Sequence, residues 1–200
     1  MSDILCPDYT YFEKRQIGLD VREWLHSYDL GSWMYRSSTP KKQEEYRLAR
    51  RTVRIILTPN TSITLPGWLS GLTDTIKEST SILEIGDNWD EYGSPGYDEG
   101  TLVRAINLVV LYAKKILDEN EIIIDAPRIC ASQDGSIDLF WETDTYKLLI
   151  NVPRGETAMA TYYGRHDTGE FIDGGIFHNS FETGVSQFLI KGKRRSVLSS

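Results

Sequence analysis

Five carboxylates fall within thirteen residues: Asp87, Asp90, Glu91, Asp98 and Glu99, in the glycine-rich stretch Leu83 to Glu99. Oxygen-rich loops suit calcium, but an EF-hand needs acids at alternating positions and a closing glutamate. The order here does not match that pattern, and no metal is expected. The histidines are His26, His166 and His178. His166 and His178 flank DTGEFIDGGIF, where Asp167 or Asp173 could complete a metal or His–Asp site. Asp138 and Glu142 share a strand face, but four residues separate them by about 13 Å, too far for one ion to bridge. The acid-x-lysine partner of a metal-dependent nuclease is absent from Leu149 to Pro153. There is no G-x-S-x-G nucleophile turn and no glycine-rich phosphate cradle, so no cofactor is expected. Carboxylate or His–Asp hydrolysis at the Asp87–Asp98 loop, or at His166 to His178, stands as the enzymatic alternative.

The same loop has a reading without chemistry. Gly86, Gly93 and Gly96 permit tight turns, and Asn88 and Asp90 can accept from nearby backbone N–H groups. Trp89 can fold back between helix ends, with its N–H bonded to a carbonyl. Between hinge and catalytic site lies a third use, as a contact surface. Tyrosine and tryptophan anchor protein interfaces, and the chain holds 11 Tyr and five Trp. Trp89, Tyr92, Tyr162 and Tyr163 are the candidate anchors, with Asp90 and Glu91 as a charged rim.

Charge narrows the partner. The net charge is −7, from 29 acids and 22 bases. It is uneven: Thr61 to Ile190 carries 21 acids against eight bases, while Lys191, Lys193, Arg194 and Arg195 make the last ten residues basic. Such a body disfavours general nucleic-acid affinity. The nucleic-acid alternative rests on Lys41, Lys42, Arg47, Arg50, Arg51 and Arg54, the last four on one side if the segment is helical. The competing reading is a solvated helix face, or one docked on the protein's own acidic body. Cys6 and Cys130 are the only cysteines. They supply neither a disulfide framework nor a zinc set, and a reducing compartment is the simpler expectation. With no signal-peptide pattern and no run of about 20 apolar residues, the expected location is cytoplasmic.

The elements that must position these residues follow from periodicity. Tyr11 to Tyr28 and Lys41 to Arg51 read as helical, and Val53 to Leu57 as a strand. Pro66 to Glu84 carries a stripe at Leu69, Leu72, Ile76 and Leu83. Asp98 to Leu117 steps helically through Leu102, Ile106, Val109, Ala113 and Ile116, with Asp98 as N-cap. From Arg128 the period becomes two. Ile137, Leu139 and Trp141 face one way, and Asp138, Phe140 and Glu142 the other. The Asp134-Gly135 turn suits type I′. Leu148, Ile150 and Val152 alternate, then Met159, Thr161 and Tyr163. A fifth strand is expected near Glu170 to Phe177, and Val185 to Ile190 fits either strand or helix. The expected fold is α+β: an antiparallel meander of four to five strands with amphipathic helices on one face, plus an N-terminal helical extension. The expected organisation is an extension over 1–60, a core over 61–190 and a basic tail over 191–200.

The chain also resembles an uncharacterised group of small prokaryotic and phage proteins with an NWDGYGAPP-like loop. The matching pieces are Asn88-Trp89-Asp90, Tyr92-Gly93-Ser94-Pro95, Asp134-Gly135, Leu139 to Glu142 and Tyr162-Tyr163-Gly164, spanning roughly Ile76 to Gly164. Glu91 stands where the group usually has Gly, and Gly96 where it often has Pro. The resemblance implies an α+β domain in a prokaryotic setting and no catalytic residue. The leading expectation is a non-enzymatic interaction or regulatory protein, defence- or antitoxin-associated, whose partner is a basic protein or a second copy. Nucleic acid and membrane are not expected partners.

Overall fold

The alternation beyond Pro127 builds a five-stranded antiparallel sheet in simple chain order. The computed structural model describes residues 52–177 and 180–198. The strands are β3 (Arg128–Ala131), β4 (Ile137–Glu142), β5 (Tyr146–Val152), β6 (Ala160–His166) and β7 (Phe171–Ile176). Before them, β1 (Thr52–Thr58) and β2 (Thr61–Pro66) form a separate two-stranded hairpin. The hairpin crosses residue 60 and feeds Ile55, Leu57 and Leu65 into the same core.

Register decides which side chains meet. Ile129, Leu139, Ile150 and Tyr162 form one transverse row; Ile137 faces Val152, and Ala160 faces Ile176. These residues are buried against the helices. The opposite face carries Asp138, Asn151 and Thr161 in one row, then Phe140, Leu149 and Tyr163, then Glu142, Lys147 and Arg165. Ile137, Leu139 and Trp141 turn inward as expected. In β6 the expected alternation holds, with Ala160, Tyr162 and Gly164 pointing in and Thr161 and Tyr163 pointing out. Inward space at Gly164 is closed by Leu148 and Phe188, each 3.0 Å from where a Cβ would stand.

The turn from β3 to β4 is also not type I′. Gly135 alone has positive φ, at +79°, and its N–H bonds back to the Ser132 carbonyl at 3.0 Å. This is a three-residue loop with glycine at the left-handed position.

Helices cover the inner face. The Pro66–Glu84 stripe is helical but broken: a 3₁₀ turn (Gly67–Leu72), α1 (Thr73–Ser79) and a second 3₁₀ turn (Thr80–Glu84). Ser79, Thr80 and Ser81 hydroxyls take the carbonyls of Ile76, Lys77 and Glu78, competing with the helical ladder. Leu69, Leu72, Ile76 and Ile82 still reach the core. The main helix, α2 (Glu99–Asn120), packs on β4 and β5. Asp98 caps it, accepting from the N–H and the hydroxyl of Thr101, both at 2.8 Å. Leu102, Ile106, Val109, Ala113 and Ile116 are all buried, as their spacing predicts. The helix outruns Leu117 because Lys114–Asp118 and Lys115–Glu119 pairs extend its exposed side. It ends where Glu121 turns left-handed, at φ +58°.

The ambiguous Val185–Ile190 segment is helix: α3 (Thr183–Leu198) seats Val185, Phe188 and Leu189 in the core. Lys191 and Lys193, assigned by composition to a tail, stand on this helix and pair with Glu170 and Asp125. Cys130 is disulfide-bonded, where the spacing of the cysteines reads as offering no disulfide framework. The expected helices over Tyr11–Tyr28 and Lys41–Arg51 lie outside the described residues. No described helix is long and apolar enough to cross a membrane.

Candidate interaction loop

The Asp87–Tyr97 segment enters from the second 3₁₀ turn and leaves into the N-cap of α2. It has no regular secondary structure, so its backbone groups need other partners. Its own acids and amide supply them. Asp87 Oδ1 accepts from the Gly96 N–H at 2.7 Å. Asn88 Oδ1 accepts from the Gly93 N–H at 2.9 Å. Asp90 Oδ1 accepts from the N–H groups of Tyr92 and Ser94, at 3.0 and 3.2 Å, while Oδ2 accepts from the Ser94 hydroxyl at 2.5 Å. The Asn88 N–H closes the loop on the Ser94 carbonyl at 2.7 Å. The Ser94 hydroxyl, ahead of the backbone N–H bonds, holds the Asp90 carboxyl below its ordinary pKa.

Such closure demands a tight path. Asn88, Glu91 and Gly93 have φ of +59°, +65° and +89°. Glutamate rarely adopts that region, and the residue costs about 1–2 kcal/mol more there than in right-handed backbone. At Gly96 a Cβ would lie 2.9 Å from the Ile85 carbonyl oxygen, so no larger residue fits without movement.

The loop is also docked. The Tyr97 hydroxyl donates to the Ser132 carbonyl at 2.7 Å, and Pro95 presses on the β3–β4 turn, 3.0 Å from where a Gly135 Cβ would stand. Burial, then Asp134, raises the Tyr97 phenol to about 12. Trp89 is half-buried at this junction. Its indole N–H is buried without an acceptor among the described residues, so the expected bond to a carbonyl is not made. The side chain still stands near enough to Tyr97 to pull that phenol's pKa down against burial. The two groups are neighbours short of hydrogen-bond geometry.

The five acids therefore do not converge. Asp87, Asp90 and Asp98 each cap backbone N–H groups, Glu91 stands in solvent, and Glu99 is the first residue of α2. Among the described residues no group of three or more His, Cys, Asp and Glu is placed to hold a metal. What the loop presents is its tip, where the Tyr92 ring is 93 % exposed beside Glu91.

The other expected site residues scatter. Tyr162 is no surface anchor. It is buried on the inner face, its hydroxyl 2.7 Å from where a Gly174 Cβ would stand. Tyr163 is exposed on the outer face of β6, two strands from the hairpin that carries the loop. His166 is buried on the inner side, its ring 4.0 Å from that of Phe188, whereas Asp173 is exposed on the outer face of β7. That pair cannot share a ligand, and His178 lies outside the described residues. Arg54 belongs to β1, not to a helix face, and its Nε donates to the Ser62 hydroxyl at 3.0 Å. Lys41, Lys42, Arg47, Arg50 and Arg51 lie outside the described residues.

One group the sequence reading undervalued is Asp138. It is buried beneath this junction, and Asn151 Nδ2 donates to its Oδ1 at 2.8 Å. Asn151 Nδ2 also reaches the Ser136 hydroxyl at 2.6 Å, and that hydroxyl donates to Asp134. Burial, opposed by the Asn151 hydrogen bond and aided by Asp134, raises the Asp138 pKa to about 6. The signal was the opposition of Asp138 and Asn151 across β4 and β5, which needs the register to be known. A cleft of about 290 Å³ lies elsewhere, toward the C-terminal end of α2, lined by Trp68, Leu72, Ala113, Leu117 and Ile123. Comparison with family models, with curated proteins and with solved structures gives no match for the chain.

Proposed function

We propose that the chain is a non-enzymatic interaction protein that presents Tyr92 and Glu91 to a protein partner on a pre-organised loop. The observation that carries this reading is where the loop's polar groups go. Asp87, Asn88 and Asp90 are engaged in holding the backbone, through bonds of 2.7 to 3.2 Å. The result is a fully exposed aromatic ring on a fixed stem. An exposed tyrosine gains nothing in the free protein from such rigidity. At an interface it brings large amphipathic area at low entropy cost. Glu91 beside it, on a body of net charge −13 over Thr61 to Ile190, favours an apolar slot rimmed by lysine or arginine.

The test is site-specific photocrosslinking in the source cells. A photoreactive phenylalanine analogue at Tyr92 should give a discrete protein adduct, and the same group at Ile56, 69 % exposed on β1, should not. Asp90→Ala, which unlocks the stem, should weaken the adduct from position 92. Equal adducts from both positions, or none from position 92, would refute the reading.

A further inference from the structure

Strand β7 is an edge of the sheet, paired only with β6 among the described residues. Natural edges are usually protected by lysine, proline, a bulge or a cover. Phe171 to Phe177 reads FIDGGIF, with no lysine, arginine or proline, and its pairing with β6 runs without a register shift. Phe171 and Phe177 are 65 % and 54 % exposed.

The direction of the free backbone groups follows from the turn before the strand. His166 N–H donates to the Glu170 carbonyl at 2.8 Å, so these residues form a hydrogen-bonded pair. Antiparallel pairs alternate between bonded and non-bonded. Ile172, Gly174 and Ile176 therefore bond to β6. Phe171, Asp173 and Gly175 turn their N–H and C=O groups to the open edge.

The segment is also nearly palindromic about Gly174. We propose that β7 is the seam of a homodimer, pairing antiparallel with β7 of a second copy about a twofold axis at Gly174. That register sets Phe171 opposite Phe177 of the second copy and Ile172 opposite Ile176. It sets Asp173 opposite Gly175, so the axis avoids facing like charges. Asp173 and Gly175 exchange their outward N–H and C=O groups twice over. Odd residues meet odd residues, so the phenylalanines of both copies share the outer face and the isoleucines the inner one. Four exposed phenylalanine rings and two strand edges bury on the order of 1,000 Å², at the lower end of specific interfaces. The dimer is accordingly weak and concentration-dependent. It is carried by a different element from Tyr92 and does not depend on the loop reading.

Sedimentation equilibrium of the full chain tests it. The wild type should move from 22.8 kDa toward twice that mass as concentration rises into the tens of micromolar and above. Phe171→Glu with Phe177→Glu should stay monomeric. Phe171→Glu with Phe177→Lys should dimerise again, because the proposed register places the introduced acid opposite the introduced base. Amide exchange on the wild type reads the same seam without substitution. The N–H groups of Asp173 and Gly175 should gain protection with concentration, while that of Ile172 is protected throughout. A wild type that stays at 22.8 kDa up to about half a millimolar would overturn the proposal, as would a double-Glu variant that dimerises unchanged. An acid–base variant that stays monomeric would overturn the register.

Discussion

Replacing Asp138 by Asn removes a buried charge while keeping its shape, and the effect on stability should depend on pH. In the folded chain the Asp138 pKa rises from 3.8 to about 6, chiefly because burial penalises the carboxylate. A shift of about two units corresponds to about 3 kcal/mol between the charged and neutral forms. The folded state holds the proton more tightly than the unfolded chain between these two values. Stability is therefore greatest below pH 4, falls as pH rises through about 6, and is flat above that as far as this group is concerned. Asp138→Asn lacks this slope. The Asn151 Nδ2 bond to the remaining carbonyl oxygen survives, and the new amide N–H group costs about 1–3 kcal/mol if it finds no acceptor. That cost is the same at every pH and cancels in a difference. Urea unfolding at pH 8 and at pH 4, followed by tryptophan fluorescence, should thus give a variant-minus-wild-type stability about 2–3 kcal/mol more favourable at pH 8. Equal differences at the two pH values would mean that Asp138 titrates normally, and the argument from burial would fail.

The loop and sheet give three shorter predictions. Asp90→Ala should accelerate amide exchange at Tyr92 and Ser94, whose N–H groups it releases, while leaving core amides of β4 and β5 unchanged. Glu91→Gly should stabilise the chain by about 0.5 kcal/mol in urea titration, because glycine tolerates the +65° φ that glutamate does not. Tyr162→Ala should cost about 3–5 kcal/mol and Tyr163→Ala under about 1 kcal/mol, measured by the same titration, since only the first empties a core position.

Legibility differed by element. The α2 stripe was readable because its helical step is unbroken over four turns and Asp98 stands at its head. The meander was readable from turn chemistry, and the inward sets of β4 and β5 from strict alternation. In β6 the two parities are nearly equal in apolar content: Met159, Thr161 and Tyr163 against Ala160, Tyr162 and Gly164. There the choice was made by Leu148 and Phe188 closing on Gly164, which local sequence does not contain. The loop acids were visible as a cluster. Their use as internal caps depended on which N–H groups the left-handed turns at Asn88 and Glu91 bring into reach. The hairpin partner β2 went unread because Thr61–Pro66 shows only one fully buried residue, Leu65.

Asp138 also bears on how the loop stays docked. Asp134, Asp138 and Asp90 all raise the Tyr97 phenol, which places three acids around one hydroxyl at the loop–hairpin contact. Ser94 and backbone N–H groups compensate Asp90, and Ser136 donates to Asp134. Among the described residues Asp138 has only the Asn151 amide, and burial drives it toward its neutral form instead. Protonation then removes one of the three negative charges that act on the Tyr97 hydroxyl. The loop should sit more firmly on the hairpin at pH 5 than at pH 8, seen as slower exchange of the Gly93 and Gly96 amides after correction for intrinsic rates. In Asp138→Asn that difference should largely disappear, because the charge that drives it is gone at both pH values. Persistence of the full difference in the variant would place the pH dependence with Asp90 or Asp134 and remove Asp138 from the docking of the loop.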